Sequence, residues 1–461
     1  MNNYSAIFNC PGCGSPLEIL EGTISLRCSY CGLIMRLGSP GRILKYFYNS
    51  RVDAFAAKFA AERYFKEKGQ TLKYNEVGCR LFHLPFYRFR GMSYALYSES
   101  VIQEDENDEP SAPIKNTIFH TKCRYFDLTI PAFDKKIFGL DSLGIRPEVM
   151  PLTVYHKEIF PPESIMVDLT LSPEEAGQKA MMMFFFGVGV AAINREYLSS
   201  EMIGEGLSVI YYPVWAFSVE SDGLVSTLFI EGLAKRVYNE IFDTFGYTAG
   251  GVDRSRAVEL NPVQHKCPNC DFDLPVSESS LHYHCDNCGR SYMIGDDSYF
   301  QVEDDCASYE NGTRYHPFWR FRFATGEIDT VGKFSKILTG EIPLIARSKA
   351  NNSFYIYVPA FRSIDLNSLT TLGEMFCRIQ PEMTFERKSQ SPAADMILPE
   401  SEGKELARFY WNLLRSKYHF LAGKDYDFNA CRISEGELVW LGLANSYGVK
   451  STSEKYKAVK A

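Results

Sequence analysis

Apolar positions recur along the chain with two periods, and each period marks out its own elements. From Val52 to Lys68, Val52, Phe55, Phe59 and Ala60 stand at helical spacing with charges between them, which predicts an amphipathic helix. Ser172-Pro173-Glu174-Glu175 reads as a capping box with Pro at the first helical position, opening a helix that continues through Met181 to Phe186. Glu402 to Tyr418 places Leu406, Phe409, Tyr410, Leu413 and Leu414 on one helical face towards a core.

The second period is two, and it comes with a repeated motif. Leu84-Pro85-Phe86-Tyr87-Arg88-Phe89-Arg90, Tyr212-Pro213-Val214-Trp215-Ala216-Phe217-Ser218 and His316-Pro317-Phe318-Trp319-Arg320-Phe321-Arg322 share it, and Val358-Pro359-Ala360-Phe361-Arg362 follows more loosely. Each predicts a strand with Pro at its first position, where the missing N–H does least harm. Alternation sets Tyr87/Phe89, Trp215/Phe217 and Trp319/Phe321/Phe323 on one face. Asp222-Gly223 and Thr325-Gly326 supply hairpin turns after two of these strands. The aromatic faces are expected to be cores of small sheets covered by helices, in preference to a ligand groove. Arg88/Arg90 and Arg320/Arg322 fall on the opposite face, as candidate anion or partner contacts or, the favoured reading, as cross-strand partners of Asp and Glu.

Composition narrows the classes. The chain has 461 residues and a formal charge of −8, so a surface that coats nucleic acid or anionic membrane is not expected, and any nucleic-acid binding should be weak. Met1 to Phe8 has no basic region followed by an apolar run, so no signal peptide is expected. The most apolar stretch, Ala180 to Ile193, has 14 residues, short of the ~20 a membrane-spanning helix needs, and is read as a buried helix and a Gly-broken turn. Gln103 to Pro113 is acidic and reads as a linker or loop; Tyr155 to Pro162 and Pro392 to Ser401 read as irregular, and Ser451 to Ala461 as a polar tail.

Eight of the 13 cysteines fall into two sets with one spacing. Cys10-Pro11-Gly12-Cys13 is followed after 14 residues by Cys28-Ser29-Tyr30-Cys31, and Cys267-Pro268-Asn269-Cys270 after 14 by Cys285-Asp286-Asn287-Cys288. The offset is 257 at all four positions, and Gly32 and Gly289 follow the last cysteines. Two residues between cysteines let both thiolates of a tight turn face one ion, and Gly relieves the backbone as it curls past. Leu17 to Ile19 against Ile24 to Arg27, and Phe272 to Pro275 against Leu281 to His284, are the expected hairpin strands. Metal ligation in a reducing compartment fits this pattern better than a disulfide framework, which predicts a cytoplasmic protein. His282 and His284 could be alternative ligands, but exposed strand positions are the preferred reading, because four cysteines complete a shell.

These stretches, residues 8–36 and 265–294, resemble zinc ribbons, the family found in transcription factors, ribosomal proteins and many bacterial adaptor proteins. The resemblance implies one structural zinc per ribbon, two per chain. Zinc is preferred to iron because the knuckles lie closer together than in the iron-binding rubredoxins. The layout is also loosely similar to bacterial proteins that carry a ribbon followed by aromatic-proline strands.

The expected architecture is α+β: two four-cysteine zinc ribbons plus repeated small antiparallel-sheet units with covering helices. Seven segments follow: ribbon 1 (1–40), a helix and aromatic-proline hairpin (41–102), the acidic linker (103–115), a second α+β unit (116–260), ribbon 2 (261–297), a β-rich unit (298–400) and a C-terminal helix and tail (401–461). A four-thiolate shell leaves no open position for substrate, and GxxxxGK[ST], HExxH and GxSxG are absent, as is GxGxxG in a strand–helix setting. The expectation is therefore a scaffold or adaptor for protein partners, not an enzyme. The first alternative is nucleic-acid binding through ribbon 1, near Arg27, Arg36, Arg42 and Lys45, since ribbon 2 carries Asp271, Asp273, Glu278 and Asp286. The second is an enzyme whose site is assembled from residues distant in sequence.

Overall fold

The computed structural model describes residues 5–39, 41–69, 74–103, 114–143, 151–186, 195–221, 223–243, 245–247, 255–295, 298–308, 314–339, 349–384, 386–387, 394–418 and 427–443. The acidic stretch 104–113, Asp222 of the expected turn, Gly187-Val188-Gly189, residues 392–393 and the tail 451–461 lie outside the described residues. The fold is mixed α+β, with small antiparallel sheets and covering helices as expected, together with a larger mixed sheet of ten strands. Two compact units are present, each built from separate stretches: Met1–Arg90, Asp127–Phe184 and Gly206–Gln264 in unit 1, and Gly91–Phe126, Phe185–Glu205 and His265–Ala461 in unit 2.

In the ten-stranded sheet, strands run in the order Val237–Ile241, Leu224–Glu231, Arg195–Ser221, Leu44–Phe47, Leu152–Val154, Ser5–Asn9 and Pro16–Leu20. The prolines do not start their strands. Pro213 lies inside Arg195–Ser221, where the parallel ladder with Leu44–Phe47 ends at Tyr211 and the antiparallel ladder with Leu224–Glu231 begins at Val214. At that change of partner the missing N–H breaks no ladder, while the Pro213 carbonyl still accepts from Gly232 N at 2.9 Å. Pro317 instead lies within a continuous ladder, opposite Trp440 of Arg432–Leu443 and one residue before the Phe318–Arg322 ladder with Tyr355–Pro359 begins, and its carbonyl accepts from Ala360 N at 2.9 Å. Pro85 also lies inside its strand, Asn75–Gln103, and Pro359 ends Tyr355–Pro359.

Helix α1 (Ala54–Glu67) starts at Asp53, whose carboxylate accepts from Ala56 N at 2.7 Å. Its buried face is Ala57, Ala60, Ala61 and Phe65, packed with Trp215, Phe217, Val219, Leu228 and Ile230. Phe55 and Phe59, expected with the apolar face, are 79% and 55% exposed. Small alanines let the helix lie close to the sheet, which rotates the two phenylalanines outward. Helix α2 is the short Lys135–Phe138. Helix α3 (Pro173–Met181) shows the full Ser172–Glu175 capping box and passes into a π-helix over Met182–Phe186. Ala180 is buried, but Met182 and Met183 are exposed, so the apolar stretch is not buried throughout.

Unit 2 holds a five-stranded sheet in the order Tyr355–Pro359, Arg314–Ala324, Arg432–Leu443, Asp305–Ser308 and Glu386–Arg387. Its helices are α4 (Val331–Thr339), α5 (Leu366–Ile379) and α6 (Glu400–Lys417). Leu406, Phe409, Tyr410, Leu413 and Leu414 of α6 are all buried, as their spacing predicts. Trp319 and Phe321 lie under α6, and the Phe323 ring sits tilted with its centroid 4.6 Å from that of Trp411 of the same helix. The aromatic faces in both units are therefore core, as preferred from the sequence. Among the described residues no helix is long and apolar enough to cross a membrane.

Candidate metal centres

Each knuckle is the turn of its own hairpin. Ser5–Asn9 pairs with Pro16–Leu20 around Cys10–Cys13, and Ser25–Arg27 pairs with Ile34–Arg36 around Cys28–Cys31. His282–His284 pairs with Ser291–Ile294 around Cys285–Cys288, while Lys266 bridges Asp273 around Cys267–Cys270. The expected pairing between the two inner strands of each ribbon is thus replaced by pairing across each CxxC turn. The chain reverses at the cysteines themselves, so the flanking residues are already antiparallel.

The two ribbons repeat their backbone bonds at the same offset as their cysteines. Cys10 N to Ser15 O (2.9 Å) matches Cys267 N to Phe272 O (2.8 Å), and Cys28 N to Leu33 O matches Cys285 N to Arg290 O, both 2.8 Å. Gly14 N to Cys10 O and Asp271 N to Cys267 O also correspond, as do Gly32 N to Cys28 O and Gly289 N to Cys285 O. Gly14, Gly32, Asp271 and Gly289 all have φ between 59° and 77°, because each knuckle ends by turning left-handed.

In each set the four sulfurs lie within 4.8 Å of one another. Cys10–Cys31 and Cys13–Cys28 are separated by 3.7 and 3.8 Å, and Cys267–Cys288 and Cys270–Cys285 by 3.6 and 3.5 Å. A disulfide would require about 2.05 Å. A tetrahedron of thiolates about 2.3 Å from a central zinc has edges of about 3.8 Å, so these sulfurs stand at ligand spacing. Proton affinities diverge within each set. Bonds from the Ser15 side chain and backbone lower the Cys13 thiol to about 6, whereas three neighbouring sulfurs, with partial loss of hydration, outweigh the Leu33 backbone bond and raise Cys31. Cys270 is lowered, chiefly by Asn287, and Cys285 is raised by burial. Four thiolates this close repel one another, and a divalent cation at the centre would let all of them ionise. The donor set fits a metal of the zinc type, and its four sulfurs complete the shell.

His282 and His284 are buried, not exposed. Asp304 explains the change. Its carboxylate meets His282 Nε2 at 2.7 Å and accepts from the Ser291 hydroxyl, which lies 2.9 Å from His284 Nδ1. Sequence reasoning passed over Asp304, whose only signal was an acidic residue shortly after the ribbon.

The four arginines have separate fates. Arg88 is fully buried, donating from Nε to Asp127 Oδ1 at 2.9 Å and from Nη1 to Glu21. Arg90 is also buried and donates to the Glu21 carbonyl at 3.1 Å. Arg320 bonds Glu437, its direct partner across the sheet, at 2.6 Å. Arg322 is exposed. The cross-strand pairing favoured from the sequence is met at Arg320 and again at Arg88, whose partner Asp127 lies on Ile114–Pro131, the strand beside Asn75–Gln103, while Glu21 comes from farther along the chain. Of the ribbon 1 cations, Arg27 is exposed, Arg42 and Lys45 are half-buried, and Arg36 is buried and unavailable to a nucleic acid.

Compared with protein-family models, with curated proteins and with solved structures, the chain matches none.

Proposed function

We propose that this chain is a zinc-stabilised scaffold or adaptor for protein partners, with one zinc in each four-cysteine cluster. The observation that carries the reading is the closure of both clusters: four sulfurs at tetrahedral spacing leave no position for water or substrate. Cys10 and Cys28 also belong to the main apolar core of unit 1, so the ion there braces a packed unit. The exposed Phe55 and Phe59, one turn apart on α1, support a role in protein contact, since adjacent exposed aromatics favour interfaces. Thirteen cysteines, none of them in a disulfide, suit a reducing, cytoplasmic setting.

The test is affinity purification of wild type and a Phe55→Ser/Phe59→Ser variant from native lysate at two salt concentrations, with nuclease-treated controls. Protein partners held by wild type at both salts and lost by the variant are expected. Nucleic acid that disappears at the higher salt would replace this reading with the nucleic-acid one. Metal analysis on the same preparations should give two zinc ions per chain.

A further inference from the structure

Identical spacing and identical backbone bonds give the two ribbons the same intrinsic coordination, so what differs between them is the environment of the sulfurs. In ribbon 1 the outer cysteines, Cys13 and Cys31, are exposed; the equivalent Cys270 and Cys288 of ribbon 2 are half-buried. The Ser15 hydroxyl, 3.3 Å from Cys13, leaves that sulfur exposed. A thiolate acts as nucleophile only where a reagent can reach it, and burial denies that access.

We propose, resting on the zinc reading above, that ribbon 1 is an oxidisable and releasable metal site while ribbon 2 retains its ion. The reagent is a peroxide. The sulfur of Cys13 or Cys31 attacks one peroxide oxygen; the O–O bond breaks, and the departing oxygen takes a proton to leave as water or an alcohol. The sulfenic acid so formed is attacked by a second thiolate of the same cluster, within 4.8 Å. An S–S bond forms, and hydroxide leaves and is protonated to water. Two thiolates are oxidised, one peroxide is reduced, and the ion, left with two sulfur ligands, passes to solvent as the hydrated dication. A thiol reductant reverses the step and restores the four-thiolate shell.

The experiment uses the full zinc-loaded chain, hydrogen peroxide and a chromogenic zinc chelator, with alkylation and mass spectrometry to map oxidised cysteines. One zinc equivalent should appear several-fold faster than the other, with the fast phase matched to a disulfide within Cys10, Cys13, Cys28 and Cys31. Dithiothreitol with added zinc should restore the original content. Equal rates at both ribbons, earlier loss from ribbon 2, or no release overturns the proposal. If the purified chain carries no zinc, the metal reading fails by itself. Alkylation then still compares Cys13 and Cys31 with Cys270 and Cys288, and equal oxidation of the two pairs would reject the exposure argument separately.

Discussion

Gly403, inside α6, faces Trp319 so closely that a Cβ built there would stand 2.9 Å from the indole Cδ1. The ring cannot withdraw easily, because Trp319 Nε1 donates to Leu398 O at 2.7 Å. Gly403→Ala should therefore lower stability by about 1–3 kcal/mol, as overpacking does, despite the ~1 kcal/mol that Ala gains in helix propensity. Chemical denaturation followed by tryptophan fluorescence would measure it, and a stabilised variant would show that the contact is slack.

Removing either aromatic-strand tryptophan should cost about 3–5 kcal/mol, the range for large core truncations. Trp215 and Trp319 are buried, and Trp215 Nε1 donates to Val52 O at 2.8 Å, so Trp215→Ala also removes a buried hydrogen bond. Urea denaturation of each single variant is the measurement; a loss below about 1 kcal/mol would mark these rings as surface.

Gly32 isolates backbone geometry from packing. Its φ is 77° and an added Cβ would meet nothing within 4 Å, so Gly32→Ala tests the left-handed conformation alone. We expect a loss of about 1–2 kcal/mol, with weaker metal retention by ribbon 1 under chelator challenge. Unchanged retention and stability would mean that the knuckle relaxes to another turn.

Replacing Cys28 or Cys285 by Ser should reduce metal content from two ions to one, because each cluster needs its fourth sulfur. Elemental analysis decides it. Retention of both ions in either variant would remove that cysteine from the ligand set.

His83 predicts an acid-sensitive unit 1. Burial holds its pKa down at about 4, against a smaller opposite effect of the Tyr48 carbonyl 3.1 Å from Nε2. The unfolded chain, with a His pKa near 6.5, binds the proton first, so stability is complete above about 6.5 and falls as pH drops towards 4. The loss should approach about 3 kcal/mol across that window. Thermal unfolding from pH 7 to 4.5, compared with His83→Gln, would show a smaller acid-side decline in the variant, and parallel curves would rule His83 out.

The two four-cysteine clusters, the capping box at Ser172, the buried face of α6 and the aromatic cores were legible in the sequence. Each is set by neighbours along the chain: CxxC spacing, one helical turn or strand alternation decides it without reference to distant residues. Tertiary structure decided what depends on packing partners. Phe55 and Phe59 face outward because alanines, not larger side chains, let α1 sit against the sheet. Pro213 is tolerated inside a strand because two different strands meet it on either side. His282 and His284 are buried because Asp304, some twenty positions along, supplies a carboxylate. Arg88 is buried because Glu21 and Asp127 are brought to it. Local spacing specifies which atoms can share a turn; burial and charge pairing depend on which surfaces the whole chain closes over them, and no window of sequence contains that information.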